Sequence, residues 1–249
     1  MADRARHFVR SYGRRRGRKL RAGQQRLLAD LLARVALDPE DPSPIDAAAL
    51  FAFRPQALWL EIGFGAGEHL VRQASGHSKI GFIGCEPFVN GIAALLAAVR
   101  AHGLANIRVW TEDVRLLLPR LPAASLDRVF VLFPDPWPKA RHHKRRLIQG
   151  DFLDLLARVM APGAELALAT DHADYLAWIL ERLTAHEGFL WTARRPQDWR
   201  LPPADFLPTR YERKARAAGR ICVYLRFVRR SQGGTDGPGK GLPSGTGWV

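Results

Sequence analysis

The chain has 249 residues, is 47% hydrophobic and carries a formal net charge of +14, with a pI near 10.9. That is enough apolar material for one globular domain with arms, and the excess of positive charge points to a polyanionic partner. Cys85 and Cys222, the only cysteines, lack the spacing of a disulfide framework or a zinc site, no apolar run approaches the roughly 18 residues of a membrane span, and the basic N-terminus lacks the apolar core of a secretory signal. The expected compartment is the cytoplasm, with no membrane contact and no bound metal.

Residues 1–23 read as a basic flexible arm, with Arg4, Arg6, Arg10, Arg14, Arg15, Arg16, Arg18, Lys19 and Arg21 against the single acid Asp3. Leu27, Leu28, Leu31, Leu32 and Val35 recur at helical spacing and predict an amphipathic helix over 24–36. A Pro/Asp-rich connector follows at 38–44. From residue 57 onward short apolar runs alternate with helical segments. Strands are predicted at 57–62, 79–85, 107–111, 126–133 and 165–170, and helices from about 68 and at 91–102, 147–160 and 174–186. Late strands at 189–193 and 221–228 lack a full helix between them, which predicts an antiparallel hairpin with a long insertion. The alternation gives an α/β doubly wound sheet, mostly parallel with an antiparallel late strand and helices on both faces. Residues 24–230 form one domain in this reading. The Gly/Pro/Ser-rich tail, 231–249, is expected to be disordered.

The first strand runs into Glu61-Ile-Gly63-Phe-Gly65-Ala-Gly67. Glycines let the backbone turn sharply and approach a ligand. The spacing is not the dinucleotide fingerprint, since Glu68 stands where its third glycine belongs, and no Lys-Ser/Thr pair makes a P-loop. A carboxylate at Glu61 repels a pyrophosphate but suits an ammonium or sulfonium group. Glu86 ends the second strand, where a carboxylate can accept bonds from both ribose hydroxyls. Asp113 follows the third strand, with Glu112 as a rival for the same place. Three acids at successive strand ends beside a glycine turn fit S-adenosyl-L-methionine. Helix capping is the alternative for Glu86 and Asp113.

The fourth strand ends in Phe133-Pro-Asp135-Pro-Trp137-Pro-Lys139-Ala-Arg141-His142-His143-Lys144-Arg145-Arg146. A carboxylate held between two prolines at a strand end, followed by an aromatic ring and a dense basic run, suggests a nucleic-acid base as its object. Asp135 can be a functional acid or a turn-forming Asx residue. Trp137 can stack on a flipped base or pack under the loop. His142 and His143 read as RNA-facing or structural, since no carboxylate or cysteine stands at ligand spacing.

These segments, with Ala169-Thr-Asp171, Thr209-Arg-Tyr-Glu-Arg-Lys214 and the opening Phe8-Val-Arg-Ser-Tyr-Gly-Arg, resemble the bacterial tRNA (guanine-N7-)-methyltransferases, a Rossmann-like family that uses S-adenosyl-L-methionine. The resemblance spans roughly residues 6–228. It is most specific in the Pro-Asp-Pro-Trp segment and its basic tail, whereas the glycine motif is common to many methyltransferases. It departs from the family at Pro138, where relatives often carry His. The resemblance implies that Glu61, Gly63, Gly65, Gly67, Glu86 and Asp113 hold the cofactor and that Asp135 sits at the methyl-transfer centre. It further implies that Lys139, Asp171, Thr209, Arg210, Tyr211 and Glu212 contact the guanosine. Arg141, His142, His143, Lys144, Arg145 and Arg146 would engage tRNA. The product would be N7-methylguanosine in the tRNA variable loop, made by a monomer or homodimer with no obligatory protein partner. Two other readings stand beside this one: methylation of another RNA base or an exocyclic amine, and a non-catalytic RNA-binding protein that keeps a cofactor fold.

Overall fold

The computed structural model describes residues 12–47, 49–206 and 208–231; the expected tail from residue 232 and the first eleven residues of the arm lie outside them. Helices α1 (Ala22–Asp30) and α2 (Leu32–Val35) lead into a seven-stranded sheet built from β1 (Ala57–Ile62), β2 (Ile80–Cys85), β3 (Ile107–Trp110), β4 (Leu126–Leu132), β5 (Met160–Thr170), β6 (Phe189–Trp191) and β7 (Val223–Arg229). Between them run α3 (Glu68–Gly76), α4 (Val89–His102), α5 (Val114–Leu117), α6 (Gly150–Val159), α7 (Ala173–Ala185), α8 (Gln197–Arg200) and α9 (Arg210–Ala217). The strand order is β3-β2-β1-β4-β5-β7-β6. The first five strands are parallel, and β7 runs antiparallel to both β5 and β6. Among the described residues no helix is long and apolar enough to cross a membrane.

Alternation along β1 sends Leu58, Leu60 and Ile62 to one face and Trp59 and Glu61 to the other. The first face packs with Phe152, Leu156, Tyr175, Ile179 and Leu183 from α6 and α7. The second packs Trp59 with Leu70, Ile92, Leu95 and Val99 from α3 and α4. Each such fully buried side chain contributes about 1.5–3 kcal/mol of transfer free energy. The chain leaves β1 toward β2 on one side, and β4 pairs with β1 on the other. This reversal opens a crevice at the carboxyl ends of β1 and β4, where ligands of open α/β sheets bind.

Several boundaries differ from the sequence expectation. The helix expected at 24–36 divides at Leu31, because Arg34 N–H bonds Leu31 O and tightens that turn. β5 begins at Met160, since Met160 still pairs with Leu126 before a register shift. α6 starts at Gly150, not 147, because residues 140–145 wind as a 3₁₀ segment and Gln149 is extended. The insertion between β6 and β7 holds two short helices. Thr209 caps the second, accepting from Glu212 N–H at 3.1 Å, which is half of the reciprocal cap that Thr-x-x-Glu sequences favour.

Candidate active site

The carboxyl edge of the sheet gathers the predicted acids. Glu61 lies inside β1, Glu86 follows β2, Asp113 follows β3, Asp135 follows β4 and Asp171 follows β5. The turn after β1 has Gly63, Gly65 and Gly67 at φ +74°, +56° and +80°, the left-handed region where side chains are strained. Gly91, on α4, completes the cradle: a Cβ there would stand 2.1 Å from Gly65 O. Only glycine lets the helix approach the turn this closely.

Glu61 is 4% exposed and takes a 2.7 Å bond to His69 Nδ1. Glu86 is also buried and accepts from Gly65 N–H at 2.8 Å and Phe88 N–H at 3.0 Å. Loss of hydration raises the Glu86 pKa; the two N–H donors oppose this, and the charges of Asp135 and Glu61 raise it further. Glu86 therefore feels both other acids across the crevice, a crowding of negative charge that a cation relieves. Asp135 opens to solvent, yet the protein around it strips enough hydration to raise its pKa as well. Its loop is strained at both ends, with Phe133 at φ 52° and Trp137 at φ 43°. Each left-handed non-glycine residue costs on the order of 1–3 kcal/mol and persists where surrounding contacts over-determine it.

At the Phe133 end the N–H is held by Ala169 O of β5 at 2.8 Å, and at the Trp137 end the contacts come from the basic run. Arg146 was expected to face RNA, and the structure corrects this: its side chain has 0% exposure. Its Nε–H donates to Pro136 O at 2.9 Å, and Nη2 pairs with Asp174 on α7. The guanidinium also lies 5.1 Å from the Tyr175 ring centroid and 4.8 Å from that of Trp178. Arg146 thus ties the underside of the Pro-Asp-Pro-Trp loop to α7. Arg145 stacks 4.8 Å from the Tyr12 ring and 5.1 Å from that of Trp137. His143 packs edge-on against Trp178, and His142 edge-on against Trp137. Reduced hydration and the charges of Arg145, Arg141, Lys139 and Lys144 lower the His142 pKa, so it is neutral at pH 7. Lys139, Arg141 and Lys144 are the exposed members of the run.

Asp113 caps α5 and pairs with Arg115 at 2.8 Å, while Glu112 pairs with Arg15 of the arm. The arm follows α4: Val89 N–H donates to Arg15 O, and Gly17 and Arg18 bond the Asn90 amide. Asp171 pairs with Arg220 at 2.8 Å. The Tyr211 ring is 62% exposed and stands over the glycine turn, where a Cβ on Gly65 would be 3.2 Å from it. Arg210 N–H donates to Glu68 Oε2 at 2.8 Å. Glu212 is 1% exposed; its Oε1 accepts from Tyr224 OH at 2.5 Å and from Arg216 Nε–H at 2.8 Å. Its Oε2 is buried without a partner among the described residues.

A family model described as "Putative methyltransferase" matches residues 55–225. The tRNA (guanine-N(7)-)-methyltransferase of Rhodospirillum rubrum is 47% identical, over 99% of this chain and 98% of that protein. The chain belongs to this family. Its relatives of the same name from Nitrobacter hamburgensis and Roseobacter denitrificans are 49% and 50% identical over 88% of the chain, covering 86% and 95% of their own lengths. Among solved structures, a variant 16S rRNA (adenine(1408)-N(1))-methyltransferase from Catenulisporales acidiphilia superposes with a TM-score of 0.52 at 21% identity. It covers 80% of this chain and 94% of its own. The 16S rRNA methyltransferase KamB gives 0.52 at 20% identity over 71% and 89%. Both likenesses establish the Rossmann-like methyltransferase fold.

Sequence reasoning missed His69, Gly91, Asp174 and the burial of Arg146. Only His69 carries a local signal: a polar residue, two places after the last turn glycine, at a helix position that faces the sheet.

Proposed function

We propose that the chain methylates N7 of a guanine in the variable loop of tRNA, with S-adenosyl-L-methionine as donor, in the cytoplasm. The observation that carries this reading is the meeting of Glu61, Glu86 and Asp135 at one crevice, next to the exposed bases Lys139, Arg141 and Lys144. The residues suit the donor. The left-handed glycines and Gly91 leave a cradle of bare backbone, and buried Glu61 and Glu86 favour a cationic ligand with hydroxyl donors. Glu61, Glu86 and Asp113 would hold it, with Asp113 keeping Arg115 as its own partner. Bound there, the donor supplies an electrophilic methyl group on a sulfonium centre.

Guanine N7 presents a lone pair, so the transfer requires no general base. It requires in-line placement and stabilisation of the positive charge that develops on the purine. Asp135, at the crevice mouth, is the acid for that charge. Glu212 has a free acceptor in its buried Oε2, suited to the N1–H and N2–H edge of guanine, which adenine lacks. Leaving such an acceptor unpaired costs about 1–3 kcal/mol, and this penalty falls on the wrong base. Tyr211 and Trp137 offer ring faces to the base, and Lys139 offers a cation to O6 or a phosphate. The solvent-facing bases and the arm form the tRNA track.

Incubation with unmodified tRNA and methyl-labelled donor, followed by nucleoside analysis, tests the reading. Label in N7-methylguanosine is the expected result. Label in an exocyclic amine, or none transferred by a protein that binds the donor, overturns it.

A further inference from the structure

We propose that His69 is a positioning residue that fixes the Glu61 carboxylate and, through Gln73, links it to the segment carrying the guanosine-binding residues. Binding of the donor and of tRNA would then be coupled through the first turns of α3. The proposal rests on the function proposed above and deepens it.

His69 and Gln73 are four residues apart on α3, on one helix face, and are 3% and 4% exposed. His69 Nδ1 lies 2.7 Å from Glu61 Oε2. A carboxylate only accepts, so this nitrogen carries the proton. His69 Nε2 lies 3.3 Å from Gln73 Nε2, and the same Gln73 nitrogen lies 3.3 Å from Asp205 O. The amide has two hydrogens, one for each neighbour. Turning the amide over would set its oxygen against the Asp205 carbonyl, two acceptors face to face. One proton arrangement therefore satisfies the chain from Glu61 through neutral His69 and Gln73 to Asp205.

The far end of this chain is the insertion. Phe206, next to Asp205, packs 6.1 Å from the His69 ring, while Phe130 of β4 meets that ring edge-on at 4.8 Å. The Asp205 carboxylate is gripped by Arg128 of β4 and Arg226 of β7. One residue before His69, Glu68 Oε2 accepts from Arg210 N–H at 2.8 Å and Arg213 Nη2 at 3.2 Å. Glu68 and Gln73 of α3 thus hold the backbone on the two sides of the Thr209 cap, and His69 between them holds the acid assigned to the donor. A ligand that settles Glu61 settles His69, Gln73 and the stretch that presents Tyr211 and Glu212. Coupling of this kind is reciprocal: tRNA tightens the donor by the same factor that the donor tightens tRNA.

The test uses the full chain and S-adenosylhomocysteine, the unreactive product form of the donor. Its affinity is measured by calorimetry with and without unmodified tRNA, alongside thermal unfolding of each protein. In the wild type, tRNA should tighten binding at least about fivefold. His69→Phe removes the Glu61 partner and should weaken binding about tenfold even without tRNA. His69→Asn keeps a donor near the Nδ1 position but loses the Nε2 acceptor. It should bind within about threefold of wild type, with the tRNA effect reduced toward one. Gln73→Leu should bind like wild type and lose the tRNA effect. A purely structural role would weaken all three variants in step with their melting temperatures and leave the tRNA factor unchanged. That outcome, or a wild-type factor near one, overturns the proposal. Methyl transfer is assayed on the same wild-type sample. A protein that makes N7-methylguanosine without coupling sinks this inference alone, and one that modifies no tRNA guanine sinks both.

Discussion

Asp135→Asn keeps the shape of the side chain and removes its charge. Two unit charges about 4 Å apart interact by roughly 4 kcal/mol at an effective dielectric near 20 and by about 1 kcal/mol in bulk water. Asp135 opens to solvent while partly stripped of hydration, so its value falls between these limits, at about 2–3 kcal/mol. That corresponds to a fall of about 30- to 160-fold in the methyl-transfer step. The assay is single-turnover transfer to unmodified tRNA at saturating donor, with S-adenosylhomocysteine affinity measured in parallel. Affinity should change much less than rate, because the charge on the purine develops only in the transition state. The pH profile gives a second readout. Desolvation raises the Asp135 pKa above the ordinary 3.8, so the charge is present above the raised value and is lost as pH falls through it. Wild type should lose activity on an acid limb lying above that of a free aspartate, and the variant should lack this limb. A variant that transfers methyl at the wild-type rate refutes the reasoning. So does one that loses donor affinity as much as rate, since Asp135 would then be a ground-state binding group.

The basic run divides by burial. Lys144→Gln should lower the slope of log affinity against log salt by about 0.7–0.9, the signature of one lost phosphate contact. Arg146→Gln should leave that slope unchanged while lowering stability by about 2–3 kcal/mol in chemical denaturation, since it frees the Pro136 carbonyl and two ring faces. Equal slope changes from both variants would contradict this division. Gly91→Ala sets a methyl 2.1 Å from Gly65 O. It should weaken donor binding by more than tenfold, and unchanged binding in calorimetry would show that the turn is not the cradle. Asp174→Asn removes the bond from Arg146 that holds the Asp174 pKa low. The wild type should lose that contribution as pH falls below about 3.8, through the depressed folded value, and acid denaturation of the variant should lack that component.

Much of the molecule is legible along the chain. The parallel α/β alternation, the glycine turn and the acids at the ends of β1 to β4 follow from patterns two to ten residues long, because strand ends and sharp turns have local chemistry. What one sequence does not display is which side of a loop a charged side chain takes. Arg146 belongs to a run of bases and reads as part of an RNA track; only the arrival of α7, with Asp174, Tyr175 and Trp178 beneath the loop, turns it inward. Asp113 shows the same limit, because whether it meets a ligand or caps α5 depends on Arg115 folding back onto it. Gly91 is decided by tertiary approach alone, and the local signal at His69 does not name its partners. The first answers the proximity of a turn 26 residues earlier in the chain, and the second bridges a strand acid to an insertion more than a hundred residues away. The sequence by itself determined the chemistry available at the sheet edge, because backbone geometry and residue type are local. Tertiary structure alone decided which of those groups face the crevice and which support it, because burial and partner choice depend on chain segments that meet only after folding.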